Sequence, residues 1–251
     1  MRILLVNDDG VYSKGILALA NALKDENEVT IIAPERQMSG TSHCITFYNY
    51  INYAQLEIID DVKTYILKGT PADCVKFGID KILGYIPDLV ISGINKGYNI
   101  GTDIVYSGTV NAALEGSIMG VKSIAVSQEY YAENFDNSAR FIKDNLNLFL
   151  DMLPTDATTI LNINIPSDKK EEIKGYKICT VGHVRYNDEY IFEENRGYYL
   201  TGSLKTDVFN EETSDVHNVN LGYITISFVK QEMNDFNLFE KFRDIKLWSV
   251  S

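Results

Sequence analysis

The most constraining feature of this sequence is the alternation of short apolar runs with segments of helical periodicity. The first run, residues 2–6 (RILLV), has no polar position after its first residue, as in a strand that is covered on both faces of a parallel sheet. Residues 15–27 then carry apolar side chains at helical spacing, and residues 28–34 (EVTIIAP) are the next apolar run. This alternation predicts an α/β fold with a Rossmann-like, doubly wound and mostly parallel sheet.

The following segments fit the same scheme. A polar loop and a β-like excursion extend to about residue 68, and Pro71 then stands where the first turn of a helix tolerates proline. We predict the remaining elements of this part as helices at residues 71–83, 109–120 and 134–153, and strands at residues 87–95, 122–127 and 158–166.

The sequence changes character near residue 170. Short aromatic and β-branched segments, separated by turn residues, predict β-hairpins attached to the α/β core: residues 176–182 (YKICTVG), 189–195 (EYIFEEN), 197–202 (GYYLTG) and 222–229 (GYITISFV). Four apolar residues at near-helical spacing predict a terminal helix: Phe236, Phe239, Phe242 and Leu247. We therefore expect a Rossmann-like catalytic domain over residues 1–170 and an extension over residues 171–251. The aromatic side chains of this extension are typical of a core or of an oligomer contact.

Charge and cysteine content exclude several classes. The chain has 23 basic and 35 acidic residues, a net charge of −12, which disfavours a polynucleotide partner because Lys and Arg supply most of the affinity for phosphate backbones. A small phosphorylated substrate at one locally positive spot remains compatible with this charge. The three cysteines are widely spaced and the three histidines lack the spacing of a zinc site, so neither a disulfide framework nor a zinc centre is predicted.

No targeting or membrane segment is predicted. A strand pattern follows Met1 and Arg2 directly, without a basic-then-apolar leader. No apolar run approaches the roughly 20 residues that a membrane helix requires. We expect a cytoplasmic protein without a membrane partner.

The first strand ends in two adjacent carboxylates, Asp8 and Asp9, within the sequence NDDG. Two such groups repel each other and resist burial unless a cation or water compensates them. In an open parallel sheet, ligands bind at the carboxyl ends of the strands, around the point where the strand order reverses; we call this edge the rim. Polar loops after three strands meet there: residues 7–10, residues 39–41 and residues 92–97, the last continuing to residues 106–109.

These rim residues favour a hard divalent cation. Asp carboxylates with Ser and Asn oxygens are ligands of the kind that Mg²⁺ and Mn²⁺ prefer, and the cation would offset the repulsion between Asp8 and Asp9. The alternative is structural: Asp9 and Gly10 form a turn, and Asp8 caps the next helix. Taken alone, NDDG does not decide between the two, and the other rim loops favour the metal.

The segment YSGTVNAALEG, which begins at Tyr106, has the form of an anion cradle. Gly108 permits close approach of the backbone, Ser107 and Thr109 offer hydroxyls, and the following helix directs free N–H groups outward. The alternative is ordinary helix capping, which binds nothing. Two nearby basic residues, Arg36 and Lys96, are interpreted as solvated surface charges.

Competing nucleotide motifs are absent from the sequence. No G-x-G-x-x-G follows a strand, so dinucleotide binding is weakly supported, and the absence of G-x-x-x-x-G-K-[ST] argues against a P-loop. The two-step carboxylate pair that would supply an aspartate nucleophile is Asn7-x-Asp9 here. This points to attack by water rather than by an aspartate.

With these residues assembled, the chain resembles the SurE survival-protein family over essentially its first 165 residues. The motifs that carry the resemblance are NDDG, GI at 15–16, Pro34 followed by SGTS at 39–42, GTPADCV at 69–75, PDLVISGINKGYNIGTDIVYSGTVNAALEG at 87–116 and NINIP at 162–166. The resemblance implies a metal-dependent 5'-nucleotidase that hydrolyses nucleoside 5'- and 3'-monophosphates, with short polyphosphate as a further substrate of some members.

The resemblance also implies site residues. One divalent metal per subunit, Mg²⁺ or Mn²⁺, is expected on Asp8, Asp9, Ser39 and Asn95, with Asp8 and Asp9 as the catalytic carboxylates. Phosphate and substrate contacts are expected from Gly40, Asn95, Asn99, Ser107, Gly108 and Thr109. Homodimers or tetramers are expected through the C-terminal part, which exchanges elements between subunits in the family.

The tail departs from the family pattern. Residues 227–229 read Ser-Phe-Val where Thr-Pro-Leu is usual, and GYYLTG lacks the family's Trp. These changes leave the rim residues intact but leave the oligomer contacts and the base selectivity open. Two other functions remain as alternatives, a non-catalytic nucleotide sensor and an NAD-dependent oxidoreductase.

Overall fold

The computed structural model describes residues 1–156, 158–205 and 207–245. The strands are β1 (Arg2–Val6), β2 (Glu28–Pro34), β3 (Tyr53–Leu56), β4 (Lys63–Leu67), β5 (Leu89–Lys96), β6 (Ser123–Gln128), β7 (Thr159–Ile165), β8 (Tyr176–Cys179), β9 (Tyr186–Glu193), β10 (Gly197–Leu204) and β11 (Ile224–Lys230). The helices are α1 (Lys14–Leu23), α2 (Pro71–Phe77), α3 (Gly108–Ile118), α4 (Asp136–Asp144), α5 (Leu146–Met152), α6 (Asp215–Asn220) and α7 (Phe236–Phe242).

Nine strands form one sheet in the order β3-β4-β2-β1-β5-β6-β7-β11-β8. All neighbours pair in parallel except β3 with β4 and β7 with β11. The chain winds from β1 outward to β2 and β4, then returns to β5 on the other side of β1 and winds outward to β6 and β7. The predicted mostly parallel, doubly wound Rossmann-like fold is therefore confirmed.

The alternation within β1 explains why the strand is apolar on both faces. Ile3 and Leu5 join a large cluster with side chains of α1, α4 and α5 on one face of the sheet. Leu4 and Val6 join a second cluster with side chains of α2 and α3 on the other face. Each of these side chains is at most 2% exposed, so β1 lies at the centre of both apolar layers.

Two long predicted helices are interrupted. The segment 71–83 forms α2 and then a π-helical turn, Gly78–Leu83, and the segment 134–153 divides at Asn145 into α4 and α5. The remaining elements of the N-terminal part lie where the sequence predicts them, within a few residues. No helix in the described ranges is long and apolar enough to cross a membrane.

The C-terminal part corrects the sequence prediction. Residues 189–195 and 197–202 contribute to the predicted antiparallel hairpin, β9–β10. The prediction of hairpins for residues 176–182 and 222–229 is wrong, because β8 and β11 extend the central sheet beyond β7. Alternating apolar residues explain this pairing, because Ile224 and Ile226 of β11 are buried in the same apolar cluster as side chains of β7.

The terminal helix is present as α7, which carries three of the four residues that predict it. Leu247, the fourth, lies outside the described residues. The division into a domain over residues 1–170 and an extension over residues 171–251 stays a prediction.

Candidate active site

The strand order reverses between β1 and β5, and the candidate site lies where these two strands end. Asn7 holds the turn after β1. Its Nδ2 donates to the carbonyl oxygen of Gly10 (2.9 Å) and to Ser13 Oγ (2.7 Å), and the Gly10 N–H donates back to Asn7 Oδ1 (3.2 Å). Gly10 has φ of +98°, which a residue with a side chain rarely adopts. This turn presents Asp8 and Asp9 to the rim.

Asp8 is buried and held by the first residues of α3. The Thr109 hydroxyl donates to Asp8 Oδ1 (2.6 Å), and the Thr109 N–H donates to Oδ2 (3.2 Å). Burial raises the pKa of Asp8 from 3.8 to about 6; the charge of Asp9 also raises it, and the hydrogen bonds from Thr109 oppose the rise. A Cβ on Gly108 would lie 2.9 Å from Asp8 Cβ, so this close approach of α3 requires glycine.

Asp9 is less enclosed than Asp8 and makes longer hydrogen bonds. Gln37 Nε2 donates to Oδ1 (3.4 Å) and the backbone N–H of Lys96 donates to Oδ2 (3.3 Å). Burial raises the pKa of Asp9 above its usual value. These two hydrogen bonds and the Lys96 charge oppose the rise but do not cancel it. Within the ranges described by the structure, no Lys, Arg or His forms a salt bridge with Asp8 or Asp9. Lys96 thus acts on Asp9 only at longer range, and no direct ion pair offsets the two like charges.

The loop after β2 brings Ser39 and Gly40 to the same edge. The Met38 N–H donates to the carbonyl oxygen of Asp8 (2.7 Å), which ties this loop to the turn after β1. Gln37 Nε2 donates to Ser39 Oγ (3.1 Å) as well as to Asp9, so the amide of Gln37 links the two predicted metal ligands. Ser39 and Gly40 are exposed, and Gly40 has φ of +72°.

Asn95 comes to the rim from the end of β5. The pairing of β5 with β6 shifts between Ser92 and Asn95, which turns the end of the strand. Asn95 Nδ2 donates to the carbonyl oxygen of Gly97 (2.8 Å), which fixes the side-chain amide and leaves its oxygen as the atom suited to a cation.

Ser107 and Gly108 keep the form of an anion cradle. Ser107 caps α3, since its Oγ accepts from the Val110 N–H (3.0 Å), and its own hydroxyl proton remains available to a ligand. The structure confirms the capping interpretation, and anion binding here stays a prediction. Thr109 differs from them: both its hydroxyl and its N–H are directed at Asp8, so in this structure it positions a carboxylate.

Asn99, predicted as a substrate contact, lies in a buried polar network. Its side-chain Nδ2 donates to Ser127 Oγ (2.8 Å). Its backbone carbonyl oxygen accepts from Asn162 Nδ2 (2.8 Å) and Asn164 Nδ2 (3.1 Å). Asn99 is 7% exposed, and the network holds the loop after β5 against β6 and β7. The alternation Asn-Ile-Asn in NINIP could have indicated this polar face, because residues two apart in a strand share a face.

A second anchor, which sequence reasoning missed, holds the loop that carries Ser39. The buried Glu115 of α3 binds His43 Nε2 (2.8 Å) and Lys76 Nζ of α2 (2.7 Å). Burial alone would raise the pKa of Glu115, but the bonds from His43 and Lys76 bring it below its usual value. The signal available in the sequence is a single glutamate within the small and apolar residues of α3.

A capping box at α2 anchors the same loop. Thr70 Oγ1 accepts from the Asp73 N–H (3.1 Å), and Asp73 Oδ2 accepts from the Thr70 N–H (2.9 Å). The Asp73 carboxylate also accepts from Thr46, through its N–H (3.0 Å to Oδ1) and its hydroxyl (2.6 Å to Oδ2). The spacing Thr-x-x-Asp in GTPADCV carries this signal in the sequence.

The donor set fits a hard divalent cation. Asp8, Asp9, Ser39 and Asn95 offer oxygen atoms from three rim loops, and the uncompensated acidic pair is the feature that a cation would relieve. No group of three or more His, Cys, Asp or Glu residues suited to a metal occurs among residues 1–156, 158–205 and 207–245. A metal on this rim would therefore depend on serine and asparagine oxygens beside the two carboxylates. With the start of α3 alongside, the arrangement suits a metal-assisted reaction of a phosphate ester.

Comparisons with known proteins match this chain along most of its length. The model of the family described as "Survival protein SurE" matches residues 3–188. The protein named 5'-nucleotidase SurE from Clostridium botulinum (strain 657 / Type Ba4) is 42% identical over 249 residues, which cover 96% of this chain and 97% of that protein. The protein of the same name from Thermoanaerobacter sp. (strain X514) is 41% identical over 246 residues, 95% of each chain.

A solved structure gives the same result for the fold. The crystal structure of the SurE protein from Aquifex aeolicus superimposes with a TM-score of 0.81 at 35% sequence identity and covers 97% of this chain and 98% of that chain. The similarity thus includes both the rim and the C-terminal part.

Proposed function

The chain belongs to the SurE survival-protein family, and from this premise we propose that it is a 5'-nucleotidase that depends on one divalent metal, Mg²⁺ or Mn²⁺, per subunit. Its substrates are nucleoside 5'-monophosphates, with 3'-monophosphates and short polyphosphate as further substrates. The observation that carries the proposal is the acidic pair Asp8–Asp9, which forms no salt bridge in the described part and lies directly beside the start of α3. Two relatives that carry the name 5'-nucleotidase SurE support the substrate class.

The metal has a defined place in this proposal. Asp8, Asp9, Ser39 and Asn95 would hold it, and the ion would supply a Lewis acid for a phosphoryl oxygen and for water. Thr109 fixes the orientation of Asp8, and Gln37 keeps Ser39 and Asp9 together.

The protein groups around the phosphate then have separate roles. The Ser107 hydroxyl and the Gly108 N–H, at the positive end of α3, donate to phosphoryl oxygens and stabilise the charge that develops on them. Asp8 already accepts a short hydrogen bond from Thr109, whereas the hydrogen bonds to Asp9 are long, so Asp9 is the carboxylate better placed to accept a proton from water. Water is the nucleophile, because Asn7 replaces the first carboxylate of an aspartate-nucleophile pair and is fully used in the turn.

A homo-oligomer through the C-terminal part belongs to the same proposal. The strands β9 and β10 pair only with each other within the described sheets. By their register, one face of this hairpin carries six large exposed side chains: Tyr186, Tyr190, Phe192, Tyr198, Leu200 and Leu204. An isolated two-stranded hairpin is marginally stable in water, so a second copy of the chain is the expected cover for this face, as a dimer or as a dimer of dimers. The three cysteines are free, which is consistent with the cytoplasm as location.

The test is phosphate release from nucleoside 5'- and 3'-monophosphates and short polyphosphate, with Mg²⁺ or Mn²⁺ and after EDTA. We expect release from the 5'-monophosphates that stops with EDTA and returns when the metal is added back. Release that continues in EDTA would contradict metal dependence. Metal-dependent binding of a nucleotide without release would identify a sensor, and fluorescence transfer to bound NADH would favour the oxidoreductase.

A further inference from the structure

An exposed aromatic ring lies beside the acidic pair and has no role in the site described above. Tyr130 follows β6 and is 64% exposed. The backbone that carries it is held at both sides: the Glu129 N–H donates to the carbonyl oxygen of Ile165 (3.1 Å), and the Ala132 N–H donates to that of Glu129 (3.3 Å). The ring is thus presented to solvent from an ordered turn at the carboxyl end of the sheet.

The position of this ring relative to the site follows from the loop after β5. A Cβ placed on Gly97 would lie 3.9 Å from Tyr130 Cδ2 and 3.9 Å from Asn95 Nδ2, so the ring and the side chain of a predicted metal ligand flank the same side of Gly97. The Gly97 N–H donates to the carbonyl oxygen of Gln128 (2.8 Å), which keeps this loop and the start of the Tyr130 turn together.

Lys96 connects the ring to the acidic pair. Its Nζ lies over the Tyr130 ring, 5.3 Å from the centroid, and its backbone N–H donates to Asp9 Oδ2. A contact of this kind at an exposed site is weak, so the ammonium can leave the ring for an anion without disturbing the fold. One place therefore offers an aromatic ring and a positive charge next to Asp9.

Tyr131, the next residue, is a second exposed tyrosine in the same turn. The two ring planes are at 87° with centroids 5.6 Å apart, so the rings meet edge to face and do not stack on each other. Tyr131 is the more exposed of the two.

We propose that Tyr130 is the stacking platform for the nucleobase of the substrate and that Lys96 lies beside the sugar-phosphate part. The inference rests on the proposed nucleotidase function and extends it to the part of the substrate that does not react. In a nucleoside monophosphate one ribose separates the phosphate from the base, and a ring that flanks the same glycine as a predicted metal ligand lies within the span of one such molecule. Every base has a π face, so a stacking platform gives affinity for purine and pyrimidine nucleotides with little selectivity between them.

The test compares Tyr130→Ala and Tyr130→Phe with the wild type, and uses Tyr131→Ala as the matched control. Two readouts are taken on the metal-loaded protein: kcat/KM for AMP and for ribose 5-phosphate, which has the same sugar phosphate without a base, and the calorimetric dissociation constant of adenosine. Tyr130→Ala should lower kcat/KM for AMP and weaken adenosine binding by about tenfold, with ribose 5-phosphate unchanged. Tyr130→Phe and Tyr131→Ala should stay within about twofold of the wild type for both readouts.

The two readouts separate failure of this inference from failure of the proposed function. If no phosphomonoester is hydrolysed but Tyr130→Ala still weakens adenosine binding about tenfold, the nucleotidase proposal fails and the platform stands. If Tyr130→Ala leaves both readouts unchanged, or lowers activity on AMP and ribose 5-phosphate equally, the platform is wrong. Absence of measurable adenosine binding to the wild-type protein would overturn it as well.

Discussion

At the rim of the central sheet, Asp8 is 3% exposed and is fixed by α3, whereas on the hairpin β9–β10 Phe192 is 61% exposed and packs on Tyr198 of the facing strand. Three loops and the start of α3 contribute polar atoms to the rim, and hydrogen bonds within one chain fix the positions of these atoms. The hairpin presents outward a face made mostly of large aromatic and aliphatic side chains. The comparison teaches that the proposed chemistry and the proposed assembly draw on separate parts of this molecule, so substitutions in one part should leave the other intact.

The largest expected effect comes from Asp8→Asn. The substitution removes one charge of the acidic pair and a proposed metal ligand, so we expect kcat/KM to fall by about a thousandfold while the proposed oligomer is retained. The matched control is Asp60→Asn, the same change on an exposed loop that precedes β4, at the opposite edge of the sheet. Steady-state phosphate release with size-exclusion chromatography measures both properties, and wild-type turnover of Asp8→Asn would contradict the carboxylate–metal site.

The same residue predicts a pH dependence of stability in metal-free protein. The pKa of Asp8 is raised to about 6 in the folded chain from 3.8, so folding favours the protonated form. Its contribution to stability is present below pH 3.8 and is lost as the pH rises through about 6; the loss amounts to about 3 kcal/mol at neutral pH. In EDTA, Asp8→Asn should therefore lose less unfolding free energy than the wild type between pH 4 and pH 7, measured by denaturant titration. Identical pH profiles would contradict the burial of a charged Asp8.

A smaller effect is expected from Gly108→Ala. A methyl group at this position would lie 2.9 Å from Asp8 Cβ, 3.0 Å from Asp8 Oδ2 and 3.2 Å from Pro71 Cγ, although alanine favours a helix over glycine. The start of α3 must then move away from Asp8, and displacement of about 1 Å at a site of this kind costs about a hundredfold in rate. Gly120→Ala is not a suitable control, because Gly120 has φ of +79°. Ala113→Gly makes the reverse exchange on the same helix, where it removes a buried methyl group as well as lowering helix propensity but leaves Asp8 untouched.

Thr109 distinguishes two roles for one residue. If Thr109 positions Asp8, Thr109→Val should weaken metal binding by roughly tenfold, and Thr109→Ser, which keeps the hydroxyl, should restore it. If Thr109 instead contacts phosphate, Thr109→Val should raise the inhibition constant of inorganic phosphate and leave the metal affinity unchanged. Titration of Mn²⁺ by electron paramagnetic resonance and inhibition by phosphate separate the two outcomes, and we expect the first.

The smallest effect on the chemistry is expected from the hairpin. Phe192→Lys with Leu200→Lys places two charges on its apolar face, so we expect the oligomer to dissociate while metal affinity stays within about twofold of the wild type. Analytical ultracentrifugation and Mn²⁺ titration measure the two properties. Lost metal affinity in a dissociated but folded chain would show that the rim depends on the second copy.

Sequence reasoning reached furthest where the chain itself carries the pattern. The apolar run of β1 fixed its central place, since alternate residues must bury on two faces, and the rim residues Asp8, Asp9 and Asn95 followed from the rule for strand ends. The rule could not assign β8 and β11, because a short apolar strand has the same composition in a hairpin as at the edge of a large sheet. Their place depends on which neighbour they pair with, and that neighbour is distant in the sequence.

Within the site, the sequence determined which chemical groups are available and the tertiary structure decided what each one contacts. NDDG placed two carboxylates after a buried strand, and no feature of those four residues indicated that Thr109, about a hundred positions later, would hold the first of them. That contact exists because Gly108 lets the start of α3 lie close to the end of β1. At 2.6 Å the Thr109 hydroxyl donates to the Asp8 carboxylate, although the motif around Thr109 suggested a phosphate contact. Local patterns record the residue types and their periodicity, while the direction of a side chain is set by the packing of elements that only the folded chain brings together.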